Sequence, residues 1–435
     1  MSEQAGKEKL QSSPSYTQER SFWELMGYAA LLGVFGAVAG LIFIGVTGLG
    51  EVWYGESGLG WFEGNLWWVA VAAAAGLLVG ILRKVFHMPE HVAGFIEALK
   101  NEEVEPATVA PIVAVSAVSL IGGASLGPES ALGSMGGGAG TWLARRRNFN
   151  ESLSKATTLS GLAGALGGLF SSPLMAVVLV LEIAAPDRKV SGKAFIATVV
   201  SSSVSFGLYF AVAGTIFLGI YEVPTYDFEN WYLFLAVGLG VLAAFVVLVM
   251  GGIMEGAKRL LGPGRIPDLA RPVIGGVTFG LIGFALPLSL FTGSEQLATI
   301  LENVGTLTVG LLVATLLAKM IALAVSSASG FIGGPIFPIL FIGGVAGVIL
   351  NAIFPEIPLG LAFTCMLAAV PGAVVSAPFS MVLLASLLTQ VGALQTAPIL
   401  IAVGTSALTV AAVRFAASRR TTSESDPSGS SEISR

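Results

Sequence analysis

Most ionisable side chains of this 435-residue chain fall in polar connections, but two carboxylates do not. Glu129 follows Gly127-Pro128 in SLGPESALGSMGGGAG, among small and apolar residues, and Glu182 closes the apolar stretch GLFSSPLMAVVLVLEI. A carboxylate in such surroundings can exchange a proton, pair with a cation, or sit where an anion is meant to sit. Pro128 favours the last use for Glu129. Proline suits a first helical turn, because its φ is preset and the N–H it lacks would be unpaired there anyway. The N–H groups of Glu129 and Ser130 then project from a helix start bearing partial positive charge, an anion site without a full cation. An acid in a first turn also stabilises its helix, by about 0.3–1 kcal/mol at exposed sites. Inside a membrane segment, however, an ionisable side chain is a functional candidate by default. Glu182 has two readings: a helix-end partner for Arg188 and Lys189, or a member of an ion or proton pathway.

Other chemistries find little support. With one cysteine, Cys365, and two histidines, His87 and His91, no disulfide forms within the chain and no metal cage is expected. No H-E-x-x-H and no histidine-containing acid/base set occurs in the apolar segments, so neither an enzyme nor a cofactor is predicted. No basic stripe suits nucleic acid.

The elements that must position Glu129 are membrane helices. The chain is 54% hydrophobic and 11% charged, against about 25% charged in soluble domains. Apolar stretches near 22–50, 67–82, 104–122, 195–220, 231–254, 272–290, 304–325 and 397–413 approach or reach membrane-crossing length. The fold class is therefore an all-α polytopic membrane protein. Residues 1–20 are polar, so the first apolar helix reads as a retained signal-anchor. Lys and Arg cluster around 7–20, 83–84, 145–147, 188–193, 258–271 and 414–420, whereas the connections 51–63, 222–229 and 293–302 hold acids and no Lys or Arg. The bias of basic residues toward the cytoplasm puts both termini on the cytoplasmic side of a cell membrane. Residues 1–20 form a cytoplasmic segment, 21–417 the membrane domain, and 418–435 a disordered cytoplasmic tail.

The glycines hide a repeat. Shifting the chain by 207 residues superposes Gly123 on Gly330, Gly127 on Gly334, Pro128 on Pro335, Gly136 on Gly343, Gly137 on Gly344 and Gly140 on Gly347. A shift of 205 superposes Ala163 on Ala368, Gly167 on Gly372, Ser171 on Ser376, Pro173 on Pro378, Val177 on Val382 and Leu179 on Leu384. The halves, about 22–220 and 228–417, read as structural repeats. Transporters built of inverted repeats bind substrate near the midplane between discontinuous helices. Ile336 and Phe337, after Gly334-Pro335, would then supply the second pair of free N–H groups. The plainer alternative is two Gly-Pro kinks in small-residue packing seams.

With these segments in hand, the chain resembles the CLC family of chloride channels and proton-coupled anion exchangers. Gly127-Pro128-Glu129-Ser130-Ala131 stands for that family's G-R-E-G-P. GGPIFPILFIGG stands for its G-x-F-x-P, keeping Gly334, Ile336 and Pro338 and moving the phenylalanine to Phe337. GLFSSPLMAVVLVLEI is similar to its A-P-L-x-G-x-L-F-x-x-E helix. The resemblance implies tilted, broken and re-entrant helices in two inverted repeats, a homodimer with one pore per subunit, and chloride or another small inorganic anion as substrate. It makes Glu129 the gate, ionised when it occupies the anion position and released by a proton, and the N–H groups of Glu129, Ser130, Ile336 and Phe337 the anion ligands.

Departures from the pattern shape the rest. The family's G-S-G-I-P is not recognisable near His87 to Leu99, and the last tyrosine is Tyr232, too early for the family's pore tyrosine. Pro128 and Pro335 each remove one N–H donor. Ile183 stands where exchangers commonly carry a second, proton-passing glutamate. Channel-like permeation is thereby favoured over antiport by a non-standard proton route. The same residues would also serve fluoride or nitrate transport, or an organic-anion carrier outside the family.

Overall fold

The computed structural model describes residues 20–54, 66–90, 92, 94–184, 191–215, 217–262, 264–375 and 377–424. The expectations placed on residues 1–19, 55–65 and 425–435, and on His91, Arg188, Lys189 and Ser376, lie outside the described residues. Among the described residues there are sixteen α-helices. In chain order they are α1 (Arg20–Tyr54), α2 (Trp67–Val85), α3 (Phe95–Asn101), α4 (Pro106–Ile121), α5 (Glu129–Arg146), α6 (Glu151–Leu169), α7 (Pro173–Ala184) and α8 (Gly192–Ala213). There follow α9 (Tyr232–Leu261), α10 (Ala270–Ala285), α11 (Ser294–Glu302), α12 (Val309–Ala328), α13 (Ile336–Ile353), α14 (Leu359–Val375), α15 (Pro378–Thr389) and α16 (Thr396–Glu424). The chain is an all-α polytopic membrane protein, as its composition predicts.

Seven helices among the described residues are long and apolar enough to cross a membrane, including Ile336–Ile353, which begins directly after the second Gly-Pro pair. Two expected spans are shorter than predicted. The stretch 104–122 yields the 16-residue α4, and 272–290 yields the 16-residue α10. At 1.5 Å per residue, each reaches roughly 24 Å of an approximately 30 Å hydrocarbon core. Local chemistry sets these ends. Leu286 precedes Pro287 and leaves the helical region at φ −139°, ψ 77°, as a residue before proline tends to do. Gly123, just past α4, takes φ +81°, open to glycine at little cost. At the other end of the chain, α16 runs to Glu424, past the expected limit at 417.

Contacts divide the chain into two compact units. The first comprises Met1–Leu41, Ala98–Ala107 and Leu132–Gly214. In it Phe22, Leu25, Met26 and Ala29 of α1 bury against Ala156 of α6 and Ala194 and Ala197 of α8. Gly136 and Gly161 approach so closely that a Cβ on either would meet the other's carbonyl oxygen. Such small-residue contacts replace the hydrophobic drive that lipid does not supply. At the polar end of α5, exposed Arg145 forks onto Glu105, with N–O distances of 2.9 and 2.8 Å, and reaches Glu103 at 2.9 Å. The second unit, Ile42–Glu97, Thr108–Ala131 and Thr215–Arg435, contains both Gly-Pro helix starts.

Candidate functional site

The two helix starts meet. Gly127 N–H donates to the Gly334 carbonyl at 2.7 Å, and Gly334 N–H donates to the Gly127 carbonyl at 2.7 Å, a one-rung antiparallel pair. These are the glycines that the 207-residue shift superposes. Reciprocal bonding of equivalent residues puts a local two-fold axis between them. From this rung α5 begins at Glu129 and α13 at Ile336, each 18 residues long. Ser119 of α4 steadies the approach to α13: its hydroxyl accepts from Ile332 N–H at 3.2 Å and donates to the Val115 carbonyl at 2.7 Å.

Glu129 turns back across the rung. Its side chain is fully buried, and Phe337 N–H donates to its Oε1 at 3.1 Å. Its own N–H and that of Ile336 also bear on the carboxylate. A Cβ on Gly127 or on Gly334 would fall onto the carboxylate, so both glycines are needed for it to lie there. The carboxylate thus occupies the position at which amide donors of the second helix start converge, and Oε2 has no hydrogen-bond partner among the described residues.

A cavity of about 210 Å³ adjoins both starts through Pro128 and Phe337 and is lined further by Thr47, Phe217, Thr292 and Ser294. The Phe217 and Phe337 rings pack with centroids 4.9 Å apart. The turn bearing Thr292 and Ser294 is held by Lys319 of α12, which is completely buried. Its Nζ donates to the carbonyls of Leu290 at 2.9 Å and Phe291 at 2.7 Å and lies 4.9 Å from the centre of the Phe341 ring. Carbonyl dipoles and a ring face compensate an ammonium removed from water.

Of the residues singled out by sequence, Gly127, Pro128, Glu129, Gly334, Pro335, Ile336 and Phe337 come together at this point. Ser130 is buried in the first turn of α5, and Pro338 in that of α13. Glu182, half-buried, and Ile183, buried, lie on α7 in the other unit. Lys319 went unread in the sequence. As the only charged residue in the apolar stretch 304–325, it carried the same signal that drew attention to Glu129.

A polytopic helical protein in which two intramembrane helix starts exchange backbone bonds around a buried carboxylate has the architecture of an inverted-repeat ion-transport protein. The chain belongs to the voltage gated chloride channel family, whose sequence model matches residues 75–411. The family comprises transport proteins rather than enzymes. YfeO of Salmonella newport (strain SL254), named as a candidate ion-transport protein, is 24% identical over 315 residues, covering 70% of this chain and 74% of its own. Among solved structures, a slow cyanobacterial Cl−/H+ antiporter is similar with TM-score 0.76 and 17% identity, over 89% of this chain and 94% of the antiporter. A CLC-type fluoride/proton antiporter gives TM-score 0.75 and 16% identity, over 88% and 94%.

Proposed function

We propose that this protein carries a small inorganic anion, chloride first, across the cell membrane through the seat between the two helix starts, and that Glu129 gates it. The observation that carries this reading is the Glu129 carboxylate, itself an anion, buried on the Phe337 N–H. A carboxylate and a halide ask the same of a protein, convergent amide donors away from water, so one excludes the other. A proton on Glu129 removes its charge, weakens its hold on the donors and frees the seat. A hydrogen bond to a charged group contributes about 1.5–3 kcal/mol, so its loss shifts occupancy roughly tenfold to a hundredfold.

The test is chloride efflux from liposomes containing purified protein. Acidification should raise the rate by about tenfold or more, and Glu129→Gln should hold it nearly flat with pH. No anion flux from correctly inserted wild type would sink the proposal. Permeation is channel-like on this reading, because Ile183 relays no proton. A second reading, proton-coupled exchange by a non-standard route, is favoured by the likeness to Cl−/H+ and fluoride/proton antiporters. A reversal potential that ignores an imposed pH gradient rejects the second; one that follows it rejects the first. Amide donors select charge more than identity, so fluoride and nitrate belong in the same assay. Ligand pockets for organic molecules usually start at about 300 Å³, and the cavity of about 210 Å³ suits a smaller anion. The protein works as a homodimer, multi-pass, with both termini in the cytoplasm.

A further inference from the structure

A second concentration of unusual charge lies apart from Glu129, where the end of α2 packs against the start of α10. A Cβ on Gly76 would meet the carbonyl of Pro272, and one on Gly276 the carbonyl of Ala72, so the two helices are in backbone contact. That contact carries Arg271 inward. Its side chain is 3% exposed, and neither Nε nor Nη1 has a hydrogen-bond partner among the described residues. It also stands in the first turn of α10, where the helix dipole disfavours a cation. Facing it is Arg83, in the last turn of α2, which donates to the carbonyls of Gly330 at 3.3 Å, Pro89 at 2.9 Å and Glu90 at 3.2 Å. A Cβ on Gly330 would lie 3.6 Å from both Arg271 Nη2 and Arg83 Nε, so the two guanidiniums close on one point.

Two like charges brought together, one of them buried with two donor atoms unpartnered among the described residues, are unfavourable unless negative charge reaches them. The space for it exists. A cavity of about 400 Å³ is lined by Arg83, Lys84, His87, Glu90, Asp268 and Arg271. Glu90 and Asp268 offset part of the positive charge, but among the described residues none bonds the Nε or Nη1 of Arg271.

We propose that this cavity is a binding site for a phosphate group, with Arg271 as its principal ligand and Arg83 and Lys84 as secondary ones. Nε and Nη1 stand on the two different edges of the guanidinium, each edge shared with Nη2, and either edge matches two oxygens of an oxyanion. A planar carboxylate satisfies one such edge, and a halide presents a single centre. A tetrahedral phosphate directs oxygens to two guanidiniums on different helices at once. The group belongs either to a free phosphate compound or to a lipid headgroup at the basic edge of the membrane domain.

Two arms separate these sources. In the first, inorganic phosphate is titrated calorimetrically into full-length protein in detergent, at fixed chloride and ionic strength. In the second, dioctanoyl phosphatidylglycerol is titrated and read by native mass spectrometry. Saturable binding in the first arm assigns a free phosphate compound; in the second alone, a headgroup; in both, the phosphate group itself. Arg271→Lys keeps the charge and removes the fork, and should weaken binding about tenfold. Exposed Lys84→Gln, which leaves the buried contacts alone, should weaken it a few-fold, and Arg145→Gln, outside the cavity, should leave it unchanged. Should Arg271→Lys fail to fold, Lys84→Gln decides. No saturable binding in either arm overturns the proposal, as do unchanged affinity in the folded variants and displacement of phosphate by equimolar chloride.

Discussion

From Gly123 to Arg146 the first helix start follows the course that the second takes from Gly330 to Ile353. Gly123 and Gly330 both have positive φ, +81° and +98°, Gly127 and Gly334 bond each other, and α5 and α13 are both 18 residues long. Side chains break the match. Glu129 in the first repeat corresponds to Ile336 in the second, and Lys319 in the second corresponds to Ile112 in the first. The Ser119 hydroxyl accepts the Ile332 N–H, while the hydroxyl of its counterpart Ser326 is buried without a hydrogen-bond partner among the described residues. The backbone builds two matching helix starts; one repeat supplies the carboxylate that crosses to the other start, and the other supplies the lysine that holds the turn beside the cavity. The two repeats thus differ in charge on a matched backbone.

The largest effect should come from removing that lysine. Lys319→Met leaves the Leu290 and Phe291 carbonyls without their ammonium donor, at about 1–3 kcal/mol for each buried group left unpaired. Ile112→Met, the matched change in the first repeat, is a swap between apolar side chains of similar volume and should cost under about 1.5 kcal/mol. Thermal unfolding of the two variants in detergent measures the difference. Equal shifts would mean that the lysine is not a structural distinction between the repeats.

An intermediate effect tests whether the two glycines serve the carboxylate equally. Gly127→Ala and Gly334→Ala each push a methyl into the Glu129 carboxylate, and overpacking of this kind costs typically 1–3 kcal/mol. In a Glu129→Ala background most of that cost should disappear at both positions, a coupling measurable by double-mutant cycles on the unfolding midpoint. Loss of coupling at only one position would show that the carboxylate leans on one repeat.

Much of this pairing was legible because Gly and Pro are constrained for local reasons. Positive φ, close approach and a helix start each restrict the residue choice, so the 207-residue repeat survives in the sequence. A carboxylate beside Gly-Pro was legible through its cost in an apolar setting. The particular donor was not: Phe337 is 208 residues from Glu129, and a backbone N–H leaves no trace in residue type. Lys319 is hard to read in the sequence because one charge scarcely lowers the hydropathy of α12. Arg83 and Arg271 read in the sequence as loop charges that orient the chain, since composition does not distinguish a solvated arginine from one folded against a second helix. The ends of α4 and α10 depended on single Gly and Pro residues inside longer apolar runs.

The smallest effect serves as a check on how pH acts. If flux changes with pH through Glu129, the exposed carboxylates at the polar end of α5 must not contribute. Glu105 is held below its ordinary value by the hydrogen bond and charge of Arg145. A lowered carboxyl value means that the pair's contribution is present above the ordinary range, near pH 4, and is lost only as pH falls through the lowered value. Between about pH 5 and 8 Glu105 therefore stays ionised. Arg145→Gln should shift the unfolding midpoint only slightly, because exposed ion pairs are screened by water and salt. Over that range it should leave the slope of flux against pH as in wild type. A slope altered by Arg145→Gln would move part of the pH response away from the helix starts, and the asymmetry between Glu129 and Ile336 would no longer suffice to explain it.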